Sequence, residues 1–478
     1  MPINQKQIAA MLSRRQLLSA SAIIMAQSSP EAAAQSCPAA LSPTTPHFAP
    51  DPSAAILPRK RIDELDFAEV TRLGTAYALL RAQPATARNA WLQQAEIHNC
   101  YCGGPIEEIH GSWFFYPWHR AYLYFHERIL GKLLNDNTFR LPYWSWDGSA
   151  LLPGGAKPNR LPVAYHNPTG SLNPLFDPLR SVNETMTMPS QVFDQGMITR
   201  SVDQTTISTA FLGSASSGAS IEDAPHGRIH TWIGGRDPST QKAKADMGLT
   251  STAGRDPIFF AHHANIDRIW AKWISLGRRN HSDNSWLDKR WTFFDENLQL
   301  VFIEVRDVLD YQNNLKYHYG LPAAASTSAG TTTILSIPIT SGRQAVGSQP
   351  ATFSANVIST FAALVGARPE LGLGVLLVIG GIVAPTLNQP IVNVFLNKPD
   401  ATAATQAGDP AFVGGLVPFA GDAVPKAVSH DVTPLMNALP FGTTSISVTL
   451  VPTTSDGQVP PDAGVSFDNM ELRIVKQE

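Results

Sequence analysis

Cysteine is nearly missing from this chain: there are three in 478 residues, Cys37, Cys100 and Cys102. So few exclude a disulfide-built fold, and the Cys-Tyr-Cys spacing at 100–102 is unlike the Cys-x-x-Cys of a zinc knuckle. An excess of either charge is lacking too. Thirty-six Lys and Arg stand against 39 Asp and Glu, for a formal net charge of −3. That argues against a nucleic-acid binder and against an acidic solvating tail. Long unbroken hydrophobic runs are also lacking. "ELGLGVLLVIGGIVAP" carries four glycines and a glutamate and closes on proline, so it reads as strand and not as a stable membrane anchor.

What is plentiful is proline and glycine, 37 and 34, which imply many turns. The length allows two domains. Residues 1–34 stand apart from both. "MLSRRQLLSASAIIMAQSSPEAAAQ" places Arg14 and Arg15 before a short apolar stretch and then Ala32–Ala34. This is the pattern of a bacterial twin-arginine leader, so the expected partner is the twin-arginine export machinery and the expected location is periplasmic or secreted. That route carries proteins already folded.

From about residue 60 to 320 the chain is rich in Trp and Tyr and carries helical patterns. "PAAASTSAGTTT" (322–333) has the small, polar composition of a linker. Beyond it "PIVNVFLN" (390–397), "TSISVTLV" (443–450) and "FDNMELRIV" (467–475) are strand-like runs between Pro, Gly, Asp and Asn. The expected fold is a mainly α catalytic domain over 35–321, then an all-β, sandwich-like domain over 334–478.

The 13 histidines cluster. His98, His110, His119 and His126 form one group; His226, His230, His262 and His263 form another. In "EDAPHGRIHTWIGG" Asp223 is placed to cap a helix that ends at Gly234-Gly235, and His226 and His230 then stack as i and i+4 on one face. Gly227 stands where the HExxH of a zinc protease needs its glutamate. In "DPIFFAHHANIDRIWAKW" Asp256 and Pro257 start a helix that runs through Trp273. Phe259, His263, Asp267 and Trp270 share one face of it, while His262 falls with Ile266, Ile269 and Trp273 about 100° away. Only one of the adjacent pair can face a given ion, and spacing leaves open which. In the first group Pro117 starts a helix carrying His119, Tyr122 and His126, with His98 and His110 on preceding segments. Three candidates in each of two groups suggest two metals. Neutral nitrogen ligands without carboxylate or thiolate favour copper, with a water-activating zinc as the alternative.

These motifs resemble the tyrosinase and polyphenol oxidase family with its type-3 binuclear copper centre, in the long form with a plant-like C-terminal domain. The resemblance is carried by "HGSWFFYPWHRAYLYFHERIL", "PHGRIHTWIGG" and "DMGLTSTAGRDPIFFAHHANIDRIWAKW". It extends through "SWLDKRWTFFDENLQLVFIEVRDVLD" and Tyr317-His318-Tyr319, and more loosely through "VLLVIGGIVAPTLNQPIVNVFLNK" and "FVGGLVPF".

The resemblance implies a four-helix bundle around two copper ions. His98, His110 and His119 would hold the first copper, and His226, His230 and His263 the second, with His262 as support and His126 as structural. Cys102 would form a thioether with His110, and Cys100 would pair with Cys37. Phe259 would lie over the metals and Asp267 would support a ligand. Glu222 would hold a water near the second copper, and Gly227, Thr231 and Thr250 would line the substrate pocket. The implied activity is oxidation of o-diphenols to o-quinones with O2, and hydroxylation of monophenols such as tyrosine. Gly227, often asparagine in strong hydroxylases, argues against the second reaction. Thr250, in place of a bulky gate phenylalanine, argues for it. A catechol oxidase, an o-aminophenol oxidase and a hemocyanin-like O2 carrier share these motifs.

Overall fold

The computed structural model describes residues 37–102, 109–148, 158–167, 173–237, 244, 246–322, 328–356, 372–385, 390–417, 426–440 and 443–477. The expected leader and residues 323–327 of the expected linker lie outside the described residues.

Helices build the first domain. α1 (Phe67–Arg81) starts at Asp66, whose carboxylate accepts from Glu69 N while the Glu69 carboxylate accepts from Asp66 N. This closes a capping box. The helix buries Leu73, Ala76, Tyr77 and Leu80, an i, i+3, i+4, i+7 stripe. α2 (Trp91–Tyr101) follows, then α3 (Phe115–Leu134), which begins two residues before Pro117 and ends where Asn135 turns left-handed at φ 53°. α4 (Arg228–Gly234) is short and stops at Gly235, φ 73°. α5 (Ile258–Ser275) is preceded by Asp256, which accepts from Ile258 N at 3.0 Å.

α3 packs on α1 and α5, and both α3 and α5 are buried on nearly every side, as their all-round apolar and aromatic character requires. Trp118, Trp144, Trp146, Trp270, Trp273 and Trp286 are fully buried in this core. Each large apolar side chain hidden there contributes about 1.5–3 kcal/mol.

The second domain is a sandwich to which the helical domain adds one short strand, β1 (Ser217–Gly218). Its own strands are β2 (Thr331–Val346), β3 (Ala351–Asn356), β4 (Leu373–Ile382), β5 (Ile391–Leu396), β6 (Phe412–Gly415), β7 (Lys426–Asp431), β8 (Ser445–Thr453) and β9 (Val465–Gln477). One sheet has the order β1-β7-β4-β9-β2 and the other β6-β5-β8-β3. β4 is the run that resembles a membrane segment. Val375, Leu377 and Ile379 face the sandwich core, while Leu376 and Val378 pack with Ile207 and Ala210 of the helical domain. Burial on both faces removes the alternation an exposed strand would show.

Two expectations differ in detail. Ser328–Ala329 pairs with Asn280–His281, and β2 begins at Thr331, so the end of the expected linker is strand. A Thr-rich edge strand with a wet face has a linker's composition. Asp223 does not cap a helix. Residues 222–227 form a wide turn with Ala224 extended, and the Asp223 carboxylate faces Arg228 Nη2 at 3.4 Å and accepts from Val417 N. A buried carboxylate takes the guanidinium in preference to a helix start.

The two domains share hydrogen bonds. β1, from the helical domain, pairs in parallel with β7 through Ser217 and Gly218. Gln191 Nε2 donates to the carbonyls of Ala403 and Thr405, and Asn393 Nδ2 donates to Gln191 Oε1 at 2.9 Å.

Candidate metal centre

α2 and α3 bring the first group together. His98, His110 and His119 are 1–2% exposed, with ring centroids 5.3–5.5 Å apart. His98 Nδ1 donates to the Thr250 carbonyl at 2.9 Å, and His119 Nδ1 to the Phe115 carbonyl at 2.7 Å. Their Nε2 atoms lie 3.4 Å apart. The buried Cys102 thiol belongs to the same cluster of donor atoms, all within 4.8 Å of one another.

The second group has four imidazoles. His226 Nδ1 donates to the Glu222 carbonyl at 2.8 Å, and His230 Nδ1 to the Met247 carbonyl at 3.0 Å. Their Nε2 atoms lie 3.3 and 3.2 Å from His263 Nε2. His262 joins the same 4.8 Å cluster, but its Nδ1 accepts from the Trp146 indole at 3.0 Å. An imidazole that accepts at Nδ1 carries its proton on Nε2 when neutral, which leaves Nε2 without a lone pair for a metal. The rings that donate from Nδ1 keep their lone pairs on Nε2, where the clusters converge.

Bare lone pairs packed this closely repel unless a cation lies between them. Burial, then the neighbouring imidazoles, hold His119, His226, His230 and His263 well below the ordinary histidine pKa, so protons are not those cations. The spacings match the edges of a tetrahedron about an ion roughly 2.0 Å from each nitrogen. The two groups are back to back: the His119 ring stacks on His263 at 4.1 Å. Phe115 contacts His119 and His226 at 4.9 and 4.8 Å. Phe259 spans both groups, touching His98 at 4.8 Å and His263 at 4.2 Å.

Residues 88–178 and 174–276 match the common central domain of tyrosinase, and residues 280–325 the polyphenol oxidase middle domain. The crystal structure of Grenache (Vitis vinifera) polyphenol oxidase is 31% identical, with a TM-score of 0.52, over 60% of this chain and 92% of that one. The chain belongs to the tyrosinase and polyphenol oxidase family. The structure of latent apple tyrosinase covers both domains: 27% identity, TM-score 0.68, 91% of this chain and 99% of that one. The chloroplastic polyphenol oxidase of Malus domestica is 38% identical over 280 residues, 51% of this chain but 45% of that protein. The chain thus matches about half the length of its curated relatives. In this family the two histidine groups are copper sites, and uncharged nitrogen donors in a dry cavity suit copper.

The remaining expected site residues divide. Glu222 is buried, and its carboxylate accepts from Gly111 N at 2.5 Å and Ala219 N at 3.2 Å, main-chain groups next to His110 and immediately after β1. Gly227 and Thr250 are buried, and Thr231 is half-buried with Oγ1 donating to the Gly227 carbonyl. Thr250 serves His98 through its main chain. His126 stacks on Phe260 at 3.7 Å, and neither ring nitrogen has a partner. Cys37 and Cys100 form a disulfide.

Asp267 is a correction: it does not support a metal-facing histidine. Its carboxylate accepts from Arg120 Nε, Arg59 Nη1, Tyr317 Oη and Tyr319 Oη at 2.5–3.2 Å. Two arginines and two phenols in reach saturate its lone pairs. This network fastens α5 to α3. Sequence reasoning missed Trp146, Met247 and Phe115. Met247 and Phe115 act through carbonyls, which no side-chain pattern reveals; the tryptophan pair in "YWSWD" was the available signal for the first.

Proposed function

We propose that the protein is a binuclear copper phenol oxidase that converts o-diphenols to o-quinones with O2. His98, His110 and His119 hold the first copper, and His226, His230 and His263 the second. The observation that carries this reading is the pair of back-to-back imidazole groups with converging Nε2 atoms. The Trp146–His262 hydrogen bond supports His263 over its neighbour. When bound, two copper ions supply the paired one-electron chemistry that separates an o-diphenol from an o-quinone.

The chain's own groups do the rest. The four Nδ1–H donations fix ring orientation, and Phe259 excludes water from the space between the groups. A phenol reaching the second group loses its proton to a water held by Glu222, whose position is set by Gly111 N and Ala219 N. Cys102, buried in the first cluster, holds the His110 ring through a thioether.

Monophenol hydroxylation is part of the proposal because Thr250 leaves the gate open. The relatives include a protein named (+)-larreatricin hydroxylase and one named aureusidin synthase. A catechol oxidase without hydroxylase activity is the second reading, favoured by Gly227, which offers Glu222's water no side-chain partner. Oxygen uptake with catechol and with tyrosine separates them: uptake with both supports the proposal, uptake with catechol alone supports the second reading, and oxygen binding without turnover overturns both.

The β domain is proposed as a shield, because Val417 and β6 pack on the turn that leads into the second group. Cutting within 322–333 and separating the pieces then raises turnover, and unchanged kinetics removes the idea. The leader is proposed to use twin-arginine export. Among the described residues no helix is long and apolar enough to cross a membrane.

A further inference from the structure

Residues 217–228 bring His226 and Glu222 to the second histidine group. The Glu222 carbonyl takes the His226 Nδ1 proton at 2.8 Å, and the Glu222 carboxylate is held by Gly111 N and Ala219 N. A ligand on a helix is placed by the helix's own main-chain bonds. Here the carrier is a two-residue strand and a wide turn with Ala224 extended, so its position comes from what packs on it.

The β domain grips this stretch at two places. At its start Ser217 and Gly218 pair with Ala427 and Val428 of β7, and Ser429 Oγ donates to Ser217 Oγ at 3.4 Å. A Cβ on Gly218 would lie 2.7 Å from Glu222 Oε2, so the paired strand lies directly against that carboxylate. Further along, the buried Ala224 packs with Phe395 of β5, Phe412 of β6 and Val451 of β8. Its neighbour Asp223 faces Arg228 at 3.4 Å, and a Cβ on Gly415 would overlap the Asp223 carboxylate. Only glycine lets the β6 main chain come so near.

The gripping side is itself fixed. His430 of β7 donates from Nε2 to the Gly415 carbonyl at 3.0 Å, and its ring lies so close to Gly414 that a Cβ there would overlap it. β7 therefore pairs with β1 and braces β6 at once. Arg228 is anchored too: its Nη1 donates to the Gln191 carbonyl at 3.0 Å, and the Gln191 side chain is bonded to Ala403, Thr405 and Asn393. In the first group, by contrast, the carbonyls that orient His98 and His119 belong to Thr250 and Phe115 of the helical domain.

We propose that the β domain is a working part of the second copper site: β6, through Gly415 and Phe412, positions the turn that presents His226. The inference rests on the copper oxidase reading above and goes beyond a shield, which covers a site without building it. Gly415 and Phe412 are positioning residues that act through Asp223 and Ala224. Separating the domains then uncovers the second copper and loosens it together.

The test is copper release to a chelator from the loaded, full-length protein, with the two ions followed as separate phases. In Gly415→Ala one ion leaves about tenfold faster than in the native chain, the scale of losing a group that orients a ligand. The other ion keeps its native rate. Phe412→Ala gives the same split and serves should Gly415→Ala not fold. Leu377→Ala, in the sandwich core, lowers the unfolding midpoint but leaves both release rates native, so a merely weakened domain does not mimic the effect. On a His263→Ala background, which retains only the first ion, Gly415→Ala changes nothing. Native release of both ions in the β6 variants, equal acceleration of both, the same split in Leu377→Ala, or acceleration on the His263→Ala background overturns the grip. Failure of the native chain to bind copper or oxidise catechol sinks the oxidase reading instead, so the two failures are distinct.

Discussion

The first histidine group has three imidazoles and a thiol; the second has four imidazoles and no thiol. Each therefore carries one donor more than a three-coordinate copper site uses, and each deals with the surplus differently. In the first, Cys102 lies beside His110, where a covalent link would convert it from a competing ligand into a tether. In the second, Trp146 occupies His262 Nδ1 and sets its tautomer against metal binding. The lesson is that ligand choice among clustered donors is decided by what holds the far side of each ring.

The sharpest way to break this comparison is at the adjacent pair. His263→Ala should lose the second copper and reduce catechol turnover to background. His262→Ala should keep both ions and cost about 1–3 kcal/mol, the scale of stranding the buried Trp146 N–H. Metal analysis with a denaturation curve reads both, and equal copper loss would defeat the tautomer argument.

Asp267→Asn should affect the two groups alike, because the network it centres joins α3, which carries His119, to α5, which carries His263. Leaving Arg120 without its carboxylate, while Arg59 keeps Glu127, should cost about 3–5 kcal/mol in chemical denaturation. Loss confined to one copper would show that the helices are held separately.

His126 tests burial without coordination. Burial alone lowers its pKa to about 3 from the ordinary 6.5. The unfolded chain binds this proton first as the pH falls, so the stability at stake is intact above about 6.5 and is lost as the pH drops toward about 3. His126→Phe, which keeps the stack on Phe260, should recover about 3 kcal/mol at pH 4. An unchanged acid profile would mean the ring is wetter than it looks.

Smaller effects separate the groups again. Cys102→Ser should speed release of the first copper about tenfold and leave the second alone; equal release from both contradicts a local tether. Thr250→Phe should raise KM for ring-substituted phenols several-fold, about 1 kcal/mol, with catechol least affected. A KM that does not move would place the gate elsewhere.

Much of this was legible before any coordinates. The clustering of the histidines, the Asp-Pro start of α5 and the strand runs beyond residue 390 follow from spacing, cap chemistry and composition. The helix that carries His230, however, starts at Arg228 and leaves His226 on the turn before it. β4 was legible because its glycines and closing proline rule out a membrane helix, although burial on both faces hides its alternation. Three things were not. Asp267 sits one turn from His263 and so looked like a ligand's partner, but Arg59, Arg120, Tyr317 and Tyr319 arrive from distant parts of the chain. The start of β2 hid behind a linker's composition. The Met247 and Thr250 carbonyls orient His230 and His98, and a main-chain acceptor leaves no trace in side-chain identity.

The most direct test is copper stoichiometry on the purified full-length protein, followed by oxygen uptake with catechol on the same sample. The account predicts two copper ions per chain and turnover that vanishes when they are removed. One ion per chain, zinc in place of copper, or full loading without oxygen consumption would contradict it.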